Sequence, residues 1–206
     1  HADILFFTTR GRVFQLKAYD IPAASRTAKG QALVNFLQIS SEEKVNAVVE
    51  FDNLAGYKYL VMVTRQGLIK KVDITDLAAV RRSGLIAIKL KNGDALEWVK
   101  PSSGKDEIIL ASRAGQAIRF KEADVRPMGR AASGVRGIRL KGNDEVVGMD
   151  IIDTAIVKDA LFLVITANGY GKRSAISEYK VQSRGGSGIK TVKVTPRVGQ
   201  LAGAMI

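Results

Sequence analysis

The sequence lacks cysteine altogether and holds a single histidine, His1. Without cysteine, the chain has no disulfides, no cysteine-based zinc site and no thiol nucleophile. With one histidine at the start of the chain, a Ser-His-Asp triad or a histidine-based metal site is nearly excluded as well. We therefore expect no metal site and no catalytic residue in these 206 residues.

Other features are scarce too. The longest apolar runs, such as 59–63 and 160–165, fall far short of the ~20 residues that a membrane-spanning helix needs, so we expect a cytoplasmic protein without a membrane partner. The phosphate-binding pattern G-x-x-x-x-G-K-[ST] is missing, and we expect no cofactor. Aromatic residues make up only 6%, which disfavours base stacking on single-stranded nucleic acid.

Positive charge, in contrast, is plentiful. Lys and Arg number 32 against 20 Asp and Glu, for a formal net charge of +12. A charge of this sign and size favours a polyanionic partner such as nucleic acid.

The chain repeats itself four times. Each repeat starts with an apolar strand, a turn that ends in glycine, and a second strand with basic residues. A loop with an arginine or two and a second glycine follows, and further alternating segments complete the repeat. A repeat length of about 50 residues is typical of propellers. The turn glycines are Gly11, Gly67, Gly115 and Gly169, and the loop glycines are Gly30, Gly84, Gly134 and Gly188.

Strands rich in Val, Ile, Leu and Phe between glycine turns predict an all-β fold. With about four strands in each repeat, we expect a propeller-like array of four-stranded blades in one repeat domain. The predicted blades span approximately 1–55, 56–103, 104–156 and 157–206, and we refer to them as repeats 1 to 4.

The basic residues recur at equivalent places, on the second strand and in the glycine loop. A radial array would bring them together in a ring or stripe, which suits phosphate contacts along bent duplex DNA. The alternatives are solvated side chains, loop arginines that bond carbonyls of the neighbouring blade, and a scaffold that binds an acidic protein. The candidate DNA-binding residues are Arg12, Lys17, Arg26, Lys29, Lys70, Lys71, Arg81, Arg82, Arg119, Lys121, Arg130, Arg136, Lys172, Arg173, Arg184 and Lys190.

Three stretches, 6–37, 122–140 and 166–179, closely resemble the C-terminal domain of DNA gyrase A subunits, and the similarity extends over essentially the whole chain. The resemblance implies a β-pinwheel, a disc of usually six blades that exchange strands and whose basic rim wraps duplex DNA. It also implies that the chain is part of a longer bacterial subunit, which joins an ATPase subunit to introduce negative supercoils near the nucleoid. The DNA-cleaving and ATP-hydrolysing residues would then lie outside this chain.

Two departures from that family pattern stand out. Only four of the usual blades are present, and the basic box Q-R-R-G-G-K-G has no full counterpart. The nearest match, 182–188, carries Ser183 and Ser187 in place of two basic residues. Topoisomerase IV subunits, whose C-terminal domain has the same architecture without the box, are the second candidate family.

Overall fold

The computed structural model describes residues 2–51, 54–80, 83–155 and 157–206. Regular structure within them is β-strand and short 3-10 turns, which confirms the predicted all-β class. The strands are β1 (Asp3–Thr8), β2 (Arg12–Lys17), β3 (Val45–Glu50), β4 (Tyr59–Thr64), β5 (Leu68–Asp73), β6 (Leu85–Ile86), β7 (Leu96–Ser102), β8 (Glu107–Ser112), β9 (Gln116–Lys121), β10 (Val135–Arg136), β11 (Val146–Ile152), β12 (Leu161–Thr166), β13 (Gly171–Ala175), β14 (Ile189–Lys190) and β15 (Leu201–Met205). The 3-10 turns are Ala18–Asp20, Leu33–Asn35, Ile74–Leu77, Glu122–Asp124 and Ile176–Glu178.

Each repeat begins with an antiparallel hairpin, namely β1–β2, β4–β5, β8–β9 and β12–β13. The chain reverses at a glycine with positive φ, for example 73° at Gly11 and 81° at Gly169. Glycine reaches this conformation without a Cβ clash. In each repeat, a 3-10 turn follows the second strand of the hairpin and leads the chain into the glycine loop.

The hairpins are built into four sheets that share strands between repeats. The strand orders are β3-β1-β2-β6, β10-β5-β4-β7, β11-β8-β9-β14 and β13-β12-β15, which we number sheets 1 to 4. The outermost strand of sheets 1 to 3 comes from the next repeat, because β6, β10 and β14 each follow the glycine loop of that repeat. Three sheets therefore have four strands, as predicted, and sheet 4 has three among the residues described.

The hydrophobic core lies between the sheets. On β4, Leu60 and Met62 pack with sheet 1, whereas Val61 and Val63 pack with sheet 3. A strand buried on both faces needs an uninterrupted apolar run, which explains the sequence YLVMVT. A third cluster joins sheets 3 and 4, and Leu37 covers the outer face of sheet 1. The inner strands β3, β7, β11 and β15 pack against one another in that order, so the opposite edges face outward.

Candidate nucleic-acid interface

The outer edge of each of the first three sheets is built by the following repeat. Strand β10 pairs with β5 through Val135 opposite Ile69, and β14 pairs with β9 through Ile189 opposite Ala117. Strand β6 pairs with β2 in the same way. The glycine loop that precedes each short strand therefore runs along the outside of the preceding repeat.

A repeated backbone contact fixes how far each loop reaches. The carbonyl oxygen of Gly67 accepts hydrogen bonds from the amides of Gly137 at 2.8 Å and Ile138 at 3.4 Å. The carbonyls of Gly11 and Gly115 accept the corresponding pairs of amides from repeats 2 and 4. Every hairpin turn that has a following repeat is thus bonded to the segment just after that repeat's loop.

Successive loops also touch each other. The Lys89 amide donates to the Ala132 carbonyl at 3.2 Å, and the Arg139 amide donates to the Gly186 carbonyl at 2.8 Å. These bonds make the outer edge continuous from repeat 2 to repeat 4. Exposed cations follow it, and we call this set the outer rim: Lys89, Arg130, Arg136, Arg139, Lys190 and Lys193.

The candidate residues from the sequence differ widely in exposure. The exposed ones are Arg26, Lys29, Lys121, Arg130, Arg136, Lys172, Arg173 and Lys190. The partly buried ones are Arg12, Lys17 and Arg184, and the buried ones are Lys70, Lys71 and Arg119. The predictions for Arg81 and Arg82 fall outside the described residues.

Three of the predicted phosphate contacts need correction, since Lys70, Lys71 and Arg119 are buried between repeats. Arg119 pairs with Glu107 and donates to the carbonyls of Ile176 at 2.8 Å and Tyr179 at 3.1 Å. A side chain committed in this way does not reach a phosphate. These cations join one repeat to the next, because their partners include the 3-10 turn or loop of the following repeat.

The partly buried candidates are held by neighbours as well. Arg12 lies 3.0 Å from the buried carboxylate of Glu43 and donates to the Ser83 carbonyl at 2.9 Å. Lys17 pairs with Asp3 at 2.8 Å, and this hydrogen bond is the main cause that lowers the pKa of Asp3.

Arg184 matches one of the alternatives that the sequence left open, a loop arginine bonded to carbonyls of the neighbouring blade. It donates to the carbonyls of Asp124 at 2.8 Å and Arg136 at 3.1 Å, both in repeat 3. The arginine therefore fastens the loop of repeat 4 to the preceding repeat.

Sequence reasoning missed half of the outer rim. Lys89, Arg139 and Lys193 are exposed and stand at the same place in repeats 2, 3 and 4, five residues after the loop glycine. That register is a signal that could have found them. A small cavity of about 200 Å³ beside the rim is lined by Arg139, Lys141 and Ser187, among others.

No group of three or more His, Cys, Asp or Glu side chains among the described residues could hold a metal ion. No helix in the described part of the chain is long and apolar enough to cross a membrane.

The repeated architecture has close counterparts among solved structures. The C-terminal domain of DNA topoisomerase IV superimposes with a TM-score of 0.89 at 27% identity, over 99% of this chain and 63% of that one. The DNA gyrase A C-terminal domain gives a TM-score of 0.79 at 26% identity, over 100% of this chain and 65% of that one.

Sequence relatives point to one of these two. The DNA gyrase A subunit of Mycolicibacterium smegmatis is 43% identical over 100% of this chain, and that of Staphylococcus epidermidis is 39% identical over 98%. The chain spans only 24% and 22% of the length of these relatives. The family model described as "DNA gyrase C-terminal domain, beta-propeller" matches four times, at residues 2–50, 58–103, 106–153 and 160–206. This chain therefore belongs to the DNA gyrase C-terminal domain family.

Proposed function

We propose that this chain binds duplex DNA along its outer rim and contacts phosphates without reading base sequence. The observation that carries the proposal is the recurrence of exposed cations at equivalent places of successive repeats, along one continuous edge. Arg136 and Lys190 occupy one such place, and Lys89, Arg139 and Lys193 occupy another. Arg130 of the same rim lies in a glycine loop, and the loop residues Arg26 and Lys29 would extend the contact surface.

The physical match is between a series of cations and a regular polyanion. Duplex DNA carries one phosphate charge per ~1.7 Å of axis, and each neutralised phosphate releases counterions. Bending such a stiff polymer costs several kcal/mol, which phosphate contacts spread along a curved surface offset. The net charge of +12 supports association in the same direction.

In this proposal the chain serves a larger enzyme, a bacterial gyrase A subunit that acts with an ATPase subunit on cytoplasmic, nucleoid DNA. Its own residues need no cofactor and carry out no catalytic step, and they hold DNA so that the enzyme introduces negative supercoils. The box-like segment 182–188 lacks two basic residues of the family pattern. We therefore assign complete wrapping of DNA to the whole subunit.

A second candidate is the corresponding domain of topoisomerase IV, favoured by the TM-score of 0.89 to that enzyme's domain. The two functions separate when the complete subunit with its ATPase partner is assayed on a relaxed and on a supercoiled plasmid. Negative supercoiling of the relaxed plasmid that requires ATP supports the gyrase function. ATP-dependent relaxation of the supercoiled plasmid, with no supercoiling of the relaxed one, supports the topoisomerase IV function.

DNA binding itself is tested by titrating the chain into a duplex of about 40 bp at roughly 50 to 200 mM salt. Log affinity is expected to fall with log salt at a slope of about −0.9 per phosphate contact. A slope equivalent to about four or more contacts supports a distributed rim. Absent or salt-independent binding overturns the proposal and redirects the search to an acidic protein partner.

A matched pair of variants tests where the DNA lies. Arg136→Gln with Arg139→Gln removes two rim charges, and the slope is expected to become shallower by about two contacts. Lys105→Gln with Lys158→Gln removes the same charge from exposed sites before β8 and β12 that do not belong to the outer rim. If both double variants weaken binding equally, net charge rather than the rim carries the affinity.

A further inference from the structure

Lys70 is a fully buried cation on β5, with 0% of its surface exposed. Its ammonium donates hydrogen bonds to the backbone carbonyls of Ala87 at 2.6 Å, Arg130 at 2.5 Å and Ala132 at 3.3 Å. Among the ion pairs formed by the described residues, none includes Lys70. Three N–H donors thus meet three carbonyl oxygens, and the dipoles of these carbonyls compensate the charge directly.

The three carbonyls belong to two repeats. Ala87 follows β6 in repeat 2, whereas Arg130 and Ala132 lie in the glycine loop of repeat 3. That loop carries an exposed cation of the outer rim at Arg130, and it borders an open groove of about 660 Å³ together with Gly84, Leu85 and Ile86. Lys70 therefore supports, from beneath, a loop whose outer side faces solvent.

Equivalent positions in other repeats support the next loop by different means. Phe14 in repeat 1 lies directly beneath Gly84, and Ile118 in repeat 3 lies beneath Gly186, which are glycines of the following loops. Both side chains are apolar and buried, so at these positions the side chain supports the next loop by contact and not by hydrogen bonds. Only in repeat 2, among these three, does the support depend on a group that can lose its charge.

We propose that Lys70 is a positioning residue for DNA binding, which sets the Arg130 loop through its three hydrogen bonds and holds it less firmly on losing a proton. The inference rests on the proposed DNA-binding function. A neutral amine keeps two N–H donors and presents a lone pair, so one of its three hydrogen bonds to the carbonyls is lost. The bond to Ala132 is the longest of the three and the most easily given up, since that carbonyl keeps the Lys89 amide as a donor.

The surroundings place this change within a mild alkaline range. Burial is the main cause that lowers the pKa of Lys70 to about 8; Asp76 in the following 3-10 turn opposes this shift, and the nearby Arg130 adds to it. Because the pKa is depressed in the folded state, Lys70 loses its proton there before it does in the unfolded chain. Its contribution to the free energy of unfolding therefore rises between about pH 8 and about pH 10.5, while one of its hydrogen bonds to the loop is lost.

A DNA affinity that falls with pH while the free energy of unfolding does not would separate a positioning role from a structural one. DNA affinity of the chain is expected to fall by about five-fold between pH 7 and pH 9, the loss of roughly one charge-assisted contact. The contribution of Lys70 to the free energy of unfolding does not fall over the same pH range. Lys70→Met is expected to bind DNA about five-fold more weakly at pH 7 and to lose most of the pH dependence. Lys172→Met, at the equivalent exposed position in repeat 4, is expected to weaken binding with the pH dependence intact.

Lys70→Arg, which stays protonated, is expected to retain its DNA affinity at pH 9. NMR of the unaltered chain needs no variant and no DNA. The amide shifts of Ala131 and Ala132 are expected to change with the same midpoint as the Lys70 Cε signal. Loop shifts that ignore the Lys70 titration overturn the inference, as does a Lys70→Met variant that binds with the affinity and pH profile of the parent. If the parent chain binds no DNA, the proposed function fails, and the loop shifts still decide whether Lys70 sets the loop.

Discussion

The Nζ atom of Lys71 lies 3.1 Å from Oε1 of Glu122, and their side chains are only 4% and 0% exposed. The ion pair joins β5 of repeat 2 to the 3-10 turn of repeat 3. Glu122 also accepts hydrogen bonds from the Ser102 hydroxyl at 2.9 Å and the Gly104 amide at 3.0 Å. The carboxylate therefore connects its own 3-10 turn with β5 and with residues 102–104 at one junction between sheets.

Removing one partner of this pair leaves the other charge buried without its countercharge. Glu122→Gln and Lys71→Met are each expected to lower the free energy of unfolding by about 3–5 kcal/mol. Chemical denaturation followed by circular dichroism measures the loss. Glu42→Gln is the control, because the Arg10–Glu42 pair is 52% and 79% exposed and should contribute less than about 1 kcal/mol. Equal effects at the two sites would contradict the assignment.

Two turn glycines differ in their surroundings at similar backbone angles. A Cβ on Gly11, at φ 73°, would stand 2.5 Å from the carbonyl oxygen of Ile88, whereas one on Gly169, at φ 81°, meets nothing within 4 Å. Gly169→Ala should cost about 1–2 kcal/mol of unfolding free energy, the strain of a left-handed alanine. Gly11→Ala should cost clearly more, since repeat 2 must also shift. If thermal unfolding shows similar losses of free energy for the two variants, Ile88 moves away from the added Cβ at little cost.

The fold was largely predictable from the sequence because glycine turns and alternating apolar strands recur in register. Which basic residues are buried and which are exposed was less predictable. Lys71 and Arg119 occupy equivalent places on second strands, where strand periodicity alone indicates an outward face. That face is covered by the next repeat, so the residues become buried. Only knowledge of the exchanged strand reveals this, whereas the exposed Arg139 needed no more than counting from the loop glycine.

Asp73 provides a test in the acid range. Its carboxylate accepts hydrogen bonds from the Thr75 hydroxyl at 2.7 Å and the Thr75 amide at 3.0 Å, and these bonds lower the pKa of Asp73. A depressed pKa means that the stabilisation is present above the unfolded-state value of about 4 and is lost as pH falls through the folded-state value. The difference in unfolding free energy between the parent and Asp73→Ala should therefore be larger at pH 7 than at pH 3. Thr75→Val, which removes only the hydroxyl, should show a smaller difference of the same sign. A difference for Asp73→Ala that is constant with pH would exclude the charge as its source.

The loop cations differ in whether they only supply charge for DNA binding or also stabilise the loop through hydrogen bonds. Arg26 and Lys29 are exposed in the loop of repeat 1, so Arg26→Gln with Lys29→Gln should weaken DNA binding and change stability by less than about 0.5 kcal/mol. Arg184→Lys keeps the charge, yet an ammonium lacks the planar fork that reaches the carbonyls of both Asp124 and Arg136. It should therefore lower the free energy of unfolding by about 1–2 kcal/mol, as much as Arg184→Gln does. The salt dependence of DNA binding then shows whether Arg184 also contacts a phosphate. If Arg184→Lys keeps the parent slope while Arg184→Gln becomes shallower, Arg184 both holds its loop and contacts a phosphate. If neither variant changes the slope, its role is confined to joining repeats 3 and 4.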